Sequence, residues 1–418
     1  MKILVIGSGG REHAIGKKFL QSPLVSDVFV APGNAGMKID GIQLIEIPEN
    51  NHESLIQFAK ENQVDFTFIG PEVPLLAGIV DDFEAAGLKI FGPRKNAAMI
   101  EGSKDYAKQL MVQFDIPTAE YQTFSDFEEA KAYVLEKGAP IVIKADGLAA
   151  GKGVVVALTI DEAIEALSDM LENNTFGDSG ARVVVEEFLE GQEFSLLSFV
   201  DGTKVYPMII AQDHKRAFDG DKGANTGGMG AYAPVPQIPQ SMIDTAIKTI
   251  VQPTANGMVE NGASFTGILY AGLIATKEGP KVIEFNARFG DPETQVVLPR
   301  LTSDFAQIIK DILDDKEPKI TWQEDGITLG VVVAANGYPA DYEKEISLGT
   351  FDQLENSSVI FAGVKELDGK LVSNGGRVYL LEASGTTVKE AQEKVYQDLR
   401  KLQTNSLFYR SDIGDKAK

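Results

Sequence analysis

The feature that most constrains this chain is an alternation of short apolar runs and amphipathic stretches between residues 2 and 92. The apolar runs have the length of buried strands, and the stretches between them have the spacing of helices with one apolar face. Strands that alternate with helices form a parallel sheet covered on both faces. We therefore predict an N-terminal α/β domain. Its expected strands are Ile3–Ile6, Val28–Val30, Ile42–Ile47, Phe66–Ile69 and Lys89–Phe91.

Composition narrows the classes of function. The 418 residues suffice for about three domains. With 39 basic and 61 acidic residues, the net charge is −22, which disfavours nucleic acid or an anionic membrane surface as a partner. The absence of cysteine excludes disulfides, thiolate nucleophiles and cysteine metal sites, and the three histidines are too scattered to suggest a histidine cage. We expect any metal to have oxygen ligands.

No segment of the sequence has the signature of a membrane span or a signal peptide. No apolar run approaches the roughly 18 residues of a transmembrane helix. The N-terminal run Ile3–Ile6 stops at Gly7 and is followed by Arg11 and Glu12, as expected of a buried strand. The sequence predicts a cytoplasmic protein.

A glycine-rich turn, from Gly7 to His13, follows the first strand and opens a helix. Backbone N–H groups of Gly9 and Gly10 at such a turn suit a phosphate. A dinucleotide is disfavoured, because Glu12 replaces the third glycine of the fingerprint and the second strand lacks the acid that binds ribose. A monophosphate site is favoured, and a merely tight turn stays open. Asn34 and Glu72 follow strands at the sheet edge where ligands bind, although Glu72 alone is more typical of a loop carboxylate.

Lys144 projects from the apolar strand Ile141–Lys144, ahead of a turn that contains Gly151 and Gly153. A lone buried ammonium is costly, so this lysine needs an anionic partner or solvent. ATP phosphates would be such a partner, and the turn could close over them. It is not a Walker loop. Without further support, the motif favours an exposed hairpin lysine over a phosphate contact.

Two more segments offer acidic groups. The strand ending at Glu186, with Leu189 and Glu193 beyond it, can present acceptors to an adenine amino group and to ribose hydroxyls. Without further support, the segment favours a solvated acidic edge. In the second, strand alternation places Glu284, Asn286 and Arg288 on one face. Oxygen ligands two residues apart suit Mg²⁺ or Mn²⁺ bridging nucleotide phosphates, and a plain polar face is the alternative.

The segment Gln212–Arg216 precedes a stretch, residues 218–231, that is predicted to be almost entirely loop. Long loops inside compact domains are typical of lids or binding loops. Asp213 could hold an ammonium, while Lys215 and Arg216 could hold anions. A disordered linker is the alternative.

Taken in order, these motifs resemble those of the ATP-grasp ligases, and within them of the family that joins glycine to 5-phosphoribosylamine. The resemblance covers essentially the whole chain, and its longest strings are Ile143–Val154, Glu186–Gly191, Gln212–Arg216, Asn225–Tyr232 and Glu284–Gln295. It implies a biotin-carboxylase-like arrangement in three parts. These are an N-terminal phosphoribosylamine-binding domain (1–102), an ATP-grasp clamp (103–325, with a lid-like subdomain at 120–190) and a mixed α+β C-terminal domain (326–418).

The resemblance also implies the reaction and the roles of residues. Glycine and 5-phosphoribosylamine would be joined at the expense of ATP, through glycyl phosphate, to give glycinamide ribonucleotide, ADP and phosphate in purine biosynthesis. The implied ATP contacts are Lys104, Lys144, Gly151, Gly153, Glu186, Leu189 and Glu193. The implied metal ligands are Glu284 and Asn286. Glycine would be oriented by Arg288 and Asp213 with Lys215 beside them, and phosphoribosylamine would meet Gly9, Gly10, Asn34 and Glu72.

One departure from the wider superfamily concerns the metal. Other members often carry a second acidic ligand on the preceding strand, but residues 266–272 contain no acid. The number of metal ions is therefore left open. The expected partners are small-molecule substrates, with transient contacts to neighbouring enzymes of the same pathway.

Overall fold

The computed structural model describes residues 1–147, 153–173, 175–402 and 405–417. The strands are β1 (Lys2–Gly7), β2 (Asp27–Pro32), β3 (Gln43–Leu44), β4 (Phe66–Ile69), β5 (Ile90–Phe91), β6 (Tyr121–Phe124), β7 (Ile141–Ala145), β8 (Val154–Ala157), β9 (Val183–Glu187), β10 (Gln192–Asp201), β11 (Lys204–Pro207), β12 (Gln212–Asp213), β13 (Arg216–Phe218), β14 (Lys222–Asn225), β15 (Gly230–Ala233), β16 (Thr266–Thr276), β17 (Gly279–Asn286), β18 (Ile327–Ala335), β19 (Ser358–Phe361), β20 (Val364–Leu367), β21 (Lys370–Ser373), β22 (Arg377–Gly385) and β23 (Leu407–Phe408).

The helices are α1 (Gly10–Leu20), α2 (His52–Glu61), α3 (Glu72–Ala77), α4 (Ile79–Ala85), α5 (Lys95–Gly102), α6 (Lys104–Gln113), α7 (Phe127–Lys137), α8 (Ile160–Leu171), α9 (Gln240–Ala246), α10 (Gln252–Glu260), α11 (Glu293–Val297), α12 (Phe305–Leu313) and α13 (Val388–Leu399). None of these described helices combines the length and the apolar composition that crossing a bilayer requires.

The N-terminal sheet is parallel throughout, with the strand order β3-β2-β1-β4-β5. Its central strand β1 is buried along residues 3–7 because both faces are covered. The order reverses at β1, so the carboxyl ends of β1, β2 and β4 open onto a crevice. The predicted parallel sheet is confirmed, although β3 is shorter than the predicted strand Ile42–Ile47.

The lid sheet, which we define as β6-β9-β7-β8, is antiparallel and is packed against α7 and α8. Its apolar side chains form a hydrophobic core separate from that of the rest of the molecule. The side chain of Thr159 caps α8 by accepting from the backbone N–H of Glu162, and the side chain of Glu162 accepts in turn from the backbone N–H of Thr159. At α7 the side chain of Asp126 is the cap and accepts from the backbone N–H of Glu129.

A larger antiparallel sheet, β11-β10-β16-β17, lies under the lid sheet and ends in the hairpin β16–β17. The third large sheet, β12-β15-β18-β22-β19, combines strands from residues 212–233 with strands after residue 326. The C-terminal sheet thus extends across the proposed domain limit at residue 325. That limit stays a prediction.

One prediction about local structure was wrong. Residues 218–231 are not almost pure loop, because β14 lies within them, paired with β13, and β15 begins at Gly230 and pairs with β18.

Between α5 and α6, the extended backbone of Ser103 ends the first helix, and its side chain caps the second by accepting from the backbone N–H of Tyr106. A serine is a better N-cap than an interior helical residue, so the chain starts a new helix there.

Candidate active site

The acidic end of β17 forms the floor of the candidate site. Glu284 lies opposite Gly272 of β16, beside a register shift between Gly272 and Leu273. Burial alone would raise the pKa of Glu284, but nearby ammonium groups, those of Lys215, Lys144 and Lys104, outweigh burial and lower it. Glu284 is therefore an anion in a basic surrounding. Asn286, two residues on, is buried at the end of the strand.

Lys144 reaches from the lid sheet to this floor. Its side chain is only 5% exposed. The Nζ atom donates to Glu186 Oε2 at 2.9 Å and to the backbone carbonyl of Ile283 at 2.9 Å. The interpretation of Lys144 as an exposed hairpin lysine is therefore wrong, because the tertiary fold supplies a carboxylate and a carbonyl for its charge. Lys144 brings the lid sheet next to Glu284.

Lys104 stands at the first turn of α6, beside the end of β7. Its backbone N–H and the hydroxyl of Ser103 donate to Asp146 Oδ1 at 2.7 Å and 3.2 Å. Its Nζ donates to the carbonyl of Gly147 at 2.9 Å. Burial lowers the pKa of Lys104, and the nearby carboxylate of Glu284 opposes this shift. The two charges therefore interact electrostatically across the cleft. Gly153 closes the turn by accepting from Ala145 N–H at 2.8 Å, whereas Gly151 lies outside the described residues.

A second cluster of charges lies where β10 and β12 begin. Lys215 Nζ contacts Glu193 Oε2 at 3.0 Å, and this carboxylate raises the pKa of Lys215 well above its ordinary value. Burial raises the pKa of Asp213 to about 7 against the pull of Lys215. Leu189 is half-buried in the connection between β9 and β10. Acidic and basic groups thus alternate along this side of the cleft.

Arg288 lies just beyond β17 and is held by two carboxylates. Its guanidinium contacts Glu101 at 3.0 Å and Glu72 at 3.4 Å, and it donates to Asn286 Oδ1 at 3.2 Å. Burial alone would lower the pKa of Arg288, but Glu101 and Glu72 raise it overall. Burial alone would raise the pKa of Glu72, but Arg288 lowers it overall. Arg288 is therefore a permanent cation that links helices α3 and α5 to the end of β17.

The glycine-rich turn after β1 is tighter than a phosphate site requires. Gly9 N–H donates to Glu12 Oε2 at 2.7 Å, so this donor is taken by a carboxylate. An added Cβ at Gly7 would meet Glu12 Cγ at 2.5 Å, and one at Gly10 would meet Gln295 Nε2 at 2.9 Å. Glu12, at the position of the third fingerprint glycine, therefore fills the space beside the turn with its side chain. The expectation that Gly9 N–H binds a phosphate is not supported here.

Asn34 is committed to the protein itself. Its Nδ2 donates to the carbonyls of Ser8 at 2.8 Å and Phe361 at 3.1 Å, and its Oδ1 accepts from Gly36 N–H at 3.1 Å. These bonds join the turn after β2 to the C-terminal sheet. The side chain of Asn34 therefore spends its hydrogen bonds on other parts of the protein, and these bonds hold the turn in place at the edge of the crevice.

Sequence reasoning missed several buried polar groups at this site. Lys108, Glu101 and Glu293 are all buried, and each has a charged or hydroxyl partner from a distant part of the chain. For Lys108 a signal exists, since it sits between Ala107 and Leu110 on the buried face of α6. Glu101 follows the same rule on α5, where its neighbour Ile100 is buried. A charge within an apolar stripe marks a buried pair.

Comparison with family models matches three consecutive domains of phosphoribosylglycinamide synthetase: the N domain (residues 1–101), the ATP-grasp (A) domain (residues 102–294) and the C domain (residues 328–416). The phosphoribosylamine–glycine ligases of Streptococcus pneumoniae serotype 4 and Streptococcus pyogenes serotype M6 are 62% identical to the chain over 420 and 421 residues, with at least 99% of each chain covered.

Solved structures give the same relationship. The phosphoribosylamine–glycine ligase of Thermotoga maritima superposes with a TM-score of 0.86 at 34% identity, covering 99% of this chain and 100% of the other. The biotin carboxylase domain of 2-oxoglutarate carboxylase from Hydrogenobacter thermophilus gives a TM-score of 0.75 at 16% identity, covering 98% and 91%. The second likeness bears on the fold alone.

A lid sheet whose buried lysine reaches the acidic strand of a larger sheet, beside an N-terminal parallel sheet, is the arrangement of the ATP-grasp ligases. Within that class, the chain belongs to the phosphoribosylglycinamide synthetase family. The predicted resemblance, the multidomain α/β fold class, ATP use and the enzyme class, a ligase that forms a carbon–nitrogen bond, are thereby confirmed.

Proposed function

We propose that this protein joins glycine to 5-phosphoribosylamine, producing glycinamide ribonucleotide, ADP and phosphate through glycyl phosphate in de novo purine biosynthesis. The observation that carries the proposal is the contact of Lys144 with Ile283, the residue before Glu284, which brings the lid and the acidic strand into one cleft. Relatives that are 62% identical over their full length bear the corresponding name. A cytoplasmic location and transient contacts with enzymes of the same pathway are part of the proposal.

The proposed nucleotide site lies between the lid sheet and β17. Lys104 and Lys144 contact phosphates or adenine, Glu186 and the Leu189 backbone contact adenine, and Glu193 contacts the ribose. Gly153 would lie beside the phosphates, and the proposed contact of Gly151 rests on its place in the sequence alone. Support comes from the convergence of these charges: the ammonium groups of Lys144 and Lys104 help to lower the pKa of Glu284, and Glu284 opposes the lowering of the Lys104 pKa by burial.

Glu284 and Asn286 are the proposed ligands of Mg²⁺ or Mn²⁺. The described residues contain no group of three or more acidic, histidine or cysteine side chains that could hold a metal by themselves. One carboxylate and one amide fit an ion that takes its other ligands from nucleotide phosphates and water, as Mg²⁺ commonly does. A bound ion would neutralise phosphate charge during phosphoryl transfer.

Substrate placement follows from charge. Arg288 would bind the glycine carboxylate and Asp213 its ammonium, with Lys215 beside them. Gly9, Gly10, Asn34 and Glu72 line the crevice at the carboxyl edge of the N-terminal sheet, where phosphoribosylamine would sit. Gly9 and Gly10 would contribute close backbone approach, and Glu72 would accept hydrogen bonds from hydroxyl or amino groups.

The chemistry needs positioning more than a nucleophilic side chain. A glycine carboxylate oxygen attacks the terminal phosphorus of ATP, and ADP leaves. The amine of phosphoribosylamine then attacks the acyl carbon, loses a proton and displaces phosphate. Lys104, Lys144, Lys215 and Arg288 would stabilise the negative charge that moves between these groups.

The test is glycine-dependent ADP release in the presence of phosphoribosylamine. We expect Glu284→Gln to lower kcat by about 10²–10³-fold, the range for losing a preorganised electrostatic group. Glu278→Gln is the matched control, because Glu278 lies at the exposed turn of the same hairpin and pairs only with Lys281. A folded wild-type protein that releases no ADP, or equal rates in the two variants, would contradict the proposal.

A further inference from the structure

Lys108 is a buried cation that the proposed reaction does not use. It lies on α6 with its side chain 2% exposed. Its Nζ donates to Thr118 Oγ1 at 2.7 Å and contacts Glu186 Oε2 at 3.3 Å. It also lies 5.2 Å from the centre of the Tyr121 ring. A lysine is almost never fully buried unless its charge is paired.

These contacts form a circuit that begins and ends on β17. Thr118 Oγ1 donates to the carbonyl of Val282 at 2.8 Å, and Lys144 donates to Glu186 Oε2 and to the carbonyl of the next residue, Ile283. The path therefore runs from Val282 through Thr118, Lys108, Glu186 and Lys144 to Ile283. It ties helix α6, the lid sheet and β17 together just before Glu284.

Within this circuit one oxygen of Glu186 has two cations. Oε2 lies 2.9 Å from Lys144 and 3.3 Å from Lys108. Among the described residues, Oε1 has no hydrogen-bond donor. Two donors that converge on one oxygen from different elements fix both the rotation and the direction of the carboxylate, which a single lysine cannot do. The other oxygen is thereby held in a constant direction.

We propose that Lys108 is a positioning residue for recognition of the nucleotide base. By pinning Glu186 Oε2, it keeps Oε1 turned to accept a hydrogen bond from the exocyclic amino group of adenine. This inference rests on the proposed function, because it places the base of ATP at Glu186. It concerns the strength and selectivity of base binding and leaves the phosphoryl-transfer step to other residues.

The experiment compares ATP with purine riboside 5′-triphosphate, which lacks only the amino group. Equilibrium dissociation constants are measured for the wild type and for Lys108→Met, which keeps the length of the side chain and removes its charge. We expect the wild type to favour ATP by about tenfold, equal to ~1.4 kcal/mol, and Lys108→Met to bind both nucleotides within about twofold of each other. Turnover at saturating ATP should stay within about twofold of wild type while KM for ATP rises.

Lys137→Met is the matched control, since Lys137 lies on the surface and pairs with Glu120. It should keep the wild-type selectivity. If Lys108→Met does not fold, Thr118→Val removes the neighbouring link at constant shape and should lower the selectivity about threefold. Unchanged selectivity in Lys108→Met, or in Thr118→Val where that variant is needed, would overturn the inference. A wild type without glycine-dependent ADP release would instead contradict the proposed function.

Discussion

At the scale of single residues, the site is built from charges that are fixed before any substrate arrives. Arg288 has two carboxylate partners, and Glu284 lies among three lysines. Such groups need no reorganisation when phosphate charge develops, which is the condition for electrostatic catalysis. Asp213 differs, because burial raises its pKa into the physiological range.

This shift predicts a pH dependence for glycine. With a pKa of about 7, Asp213 is protonated below pH 7 and can hold an ammonium only above it. We expect kcat/KM for glycine to rise between about pH 6 and pH 8 and then level off, because kcat/KM reports groups of the free enzyme. The measurement is a pH profile of glycine-dependent ADP release at fixed phosphoribosylamine.

The Asp213→Asn variant should lose this rising limb and show kcat/KM lowered by about 10–100-fold, the value of one hydrogen bond to a charged group. Asp244→Asn, on the exposed face of α9, should retain it. A limb that survives in Asp213→Asn would assign the pH dependence to another group.

At the scale of elements, the lid sheet depends on its own core. Its apolar cluster includes Val134 of α7, Ile143 of β7 and Leu167 of α8 and is separate from the cores of the larger sheets. Because a small core contributes limited stability, local interactions such as helix caps matter more in this subdomain. The cap of α8 is fully formed: Thr159 accepts from Glu162 N–H at 3.2 Å, and Glu162 accepts from Thr159 N–H at 3.3 Å.

Removing this cap should loosen the lid without changing the chemistry. We expect Thr159→Ala to cost about 1 kcal/mol, which speeds hydrogen exchange in the first turn of α8 about fivefold. Exchange measured by mass spectrometry checks this, and kcat should be unchanged. Ser168→Ala, near the other end of α8, is the control, and equal exchange in both variants would refute the importance of the cap.

At the scale of the whole molecule, the N- and C-terminal sheets are joined at Phe361. His13 Nδ1 accepts from Phe361 N–H at 2.8 Å, while His13 Nε2 bonds to Asp40 at 2.8 Å. Asn34 donates to the carbonyl of the same Phe361. The backbone at Gly36 lies close against Phe361, and an added Cβ would come within 2.2 Å of its Cγ atom. This junction fixes one wall of the crevice at the carboxyl edge of the N-terminal sheet.

Gly36→Ala should therefore separate the two sheets. Overpacking of this kind costs about 1–3 kcal/mol, and we expect the thermal midpoint to fall by several degrees, measured by scanning calorimetry. Lys38→Ala is the control, because Lys38 lies two residues further along the chain and its side chain makes an exposed ion pair with Glu366. If the thermal midpoints of Gly36→Ala and Lys38→Ala were equal, the contact between Gly36 and Phe361 would accept the added methyl group without loss of stability, which would contradict the prediction.

Much of the fold was predictable because local patterns decide it. The period of the apolar runs predicted the parallel sheet around β1. The distinctive motifs predicted the family and ATP use. In residues 218–231 the many glycines predicted a loop, but pairing of β15 with the distant strand β18 decided the outcome, and the prediction failed.

The sequence by itself determined which elements form, their order and the class of enzyme, because apolar periodicity, caps and motif strings act over short separations. Only the tertiary structure decided which charges meet. It buried Lys144 against Ile283, committed Asn34 to Phe361 and placed Lys108 beside Glu186. Whether a charge is buried and paired depends on groups 40 to several hundred residues away, and no local pattern specifies their distance.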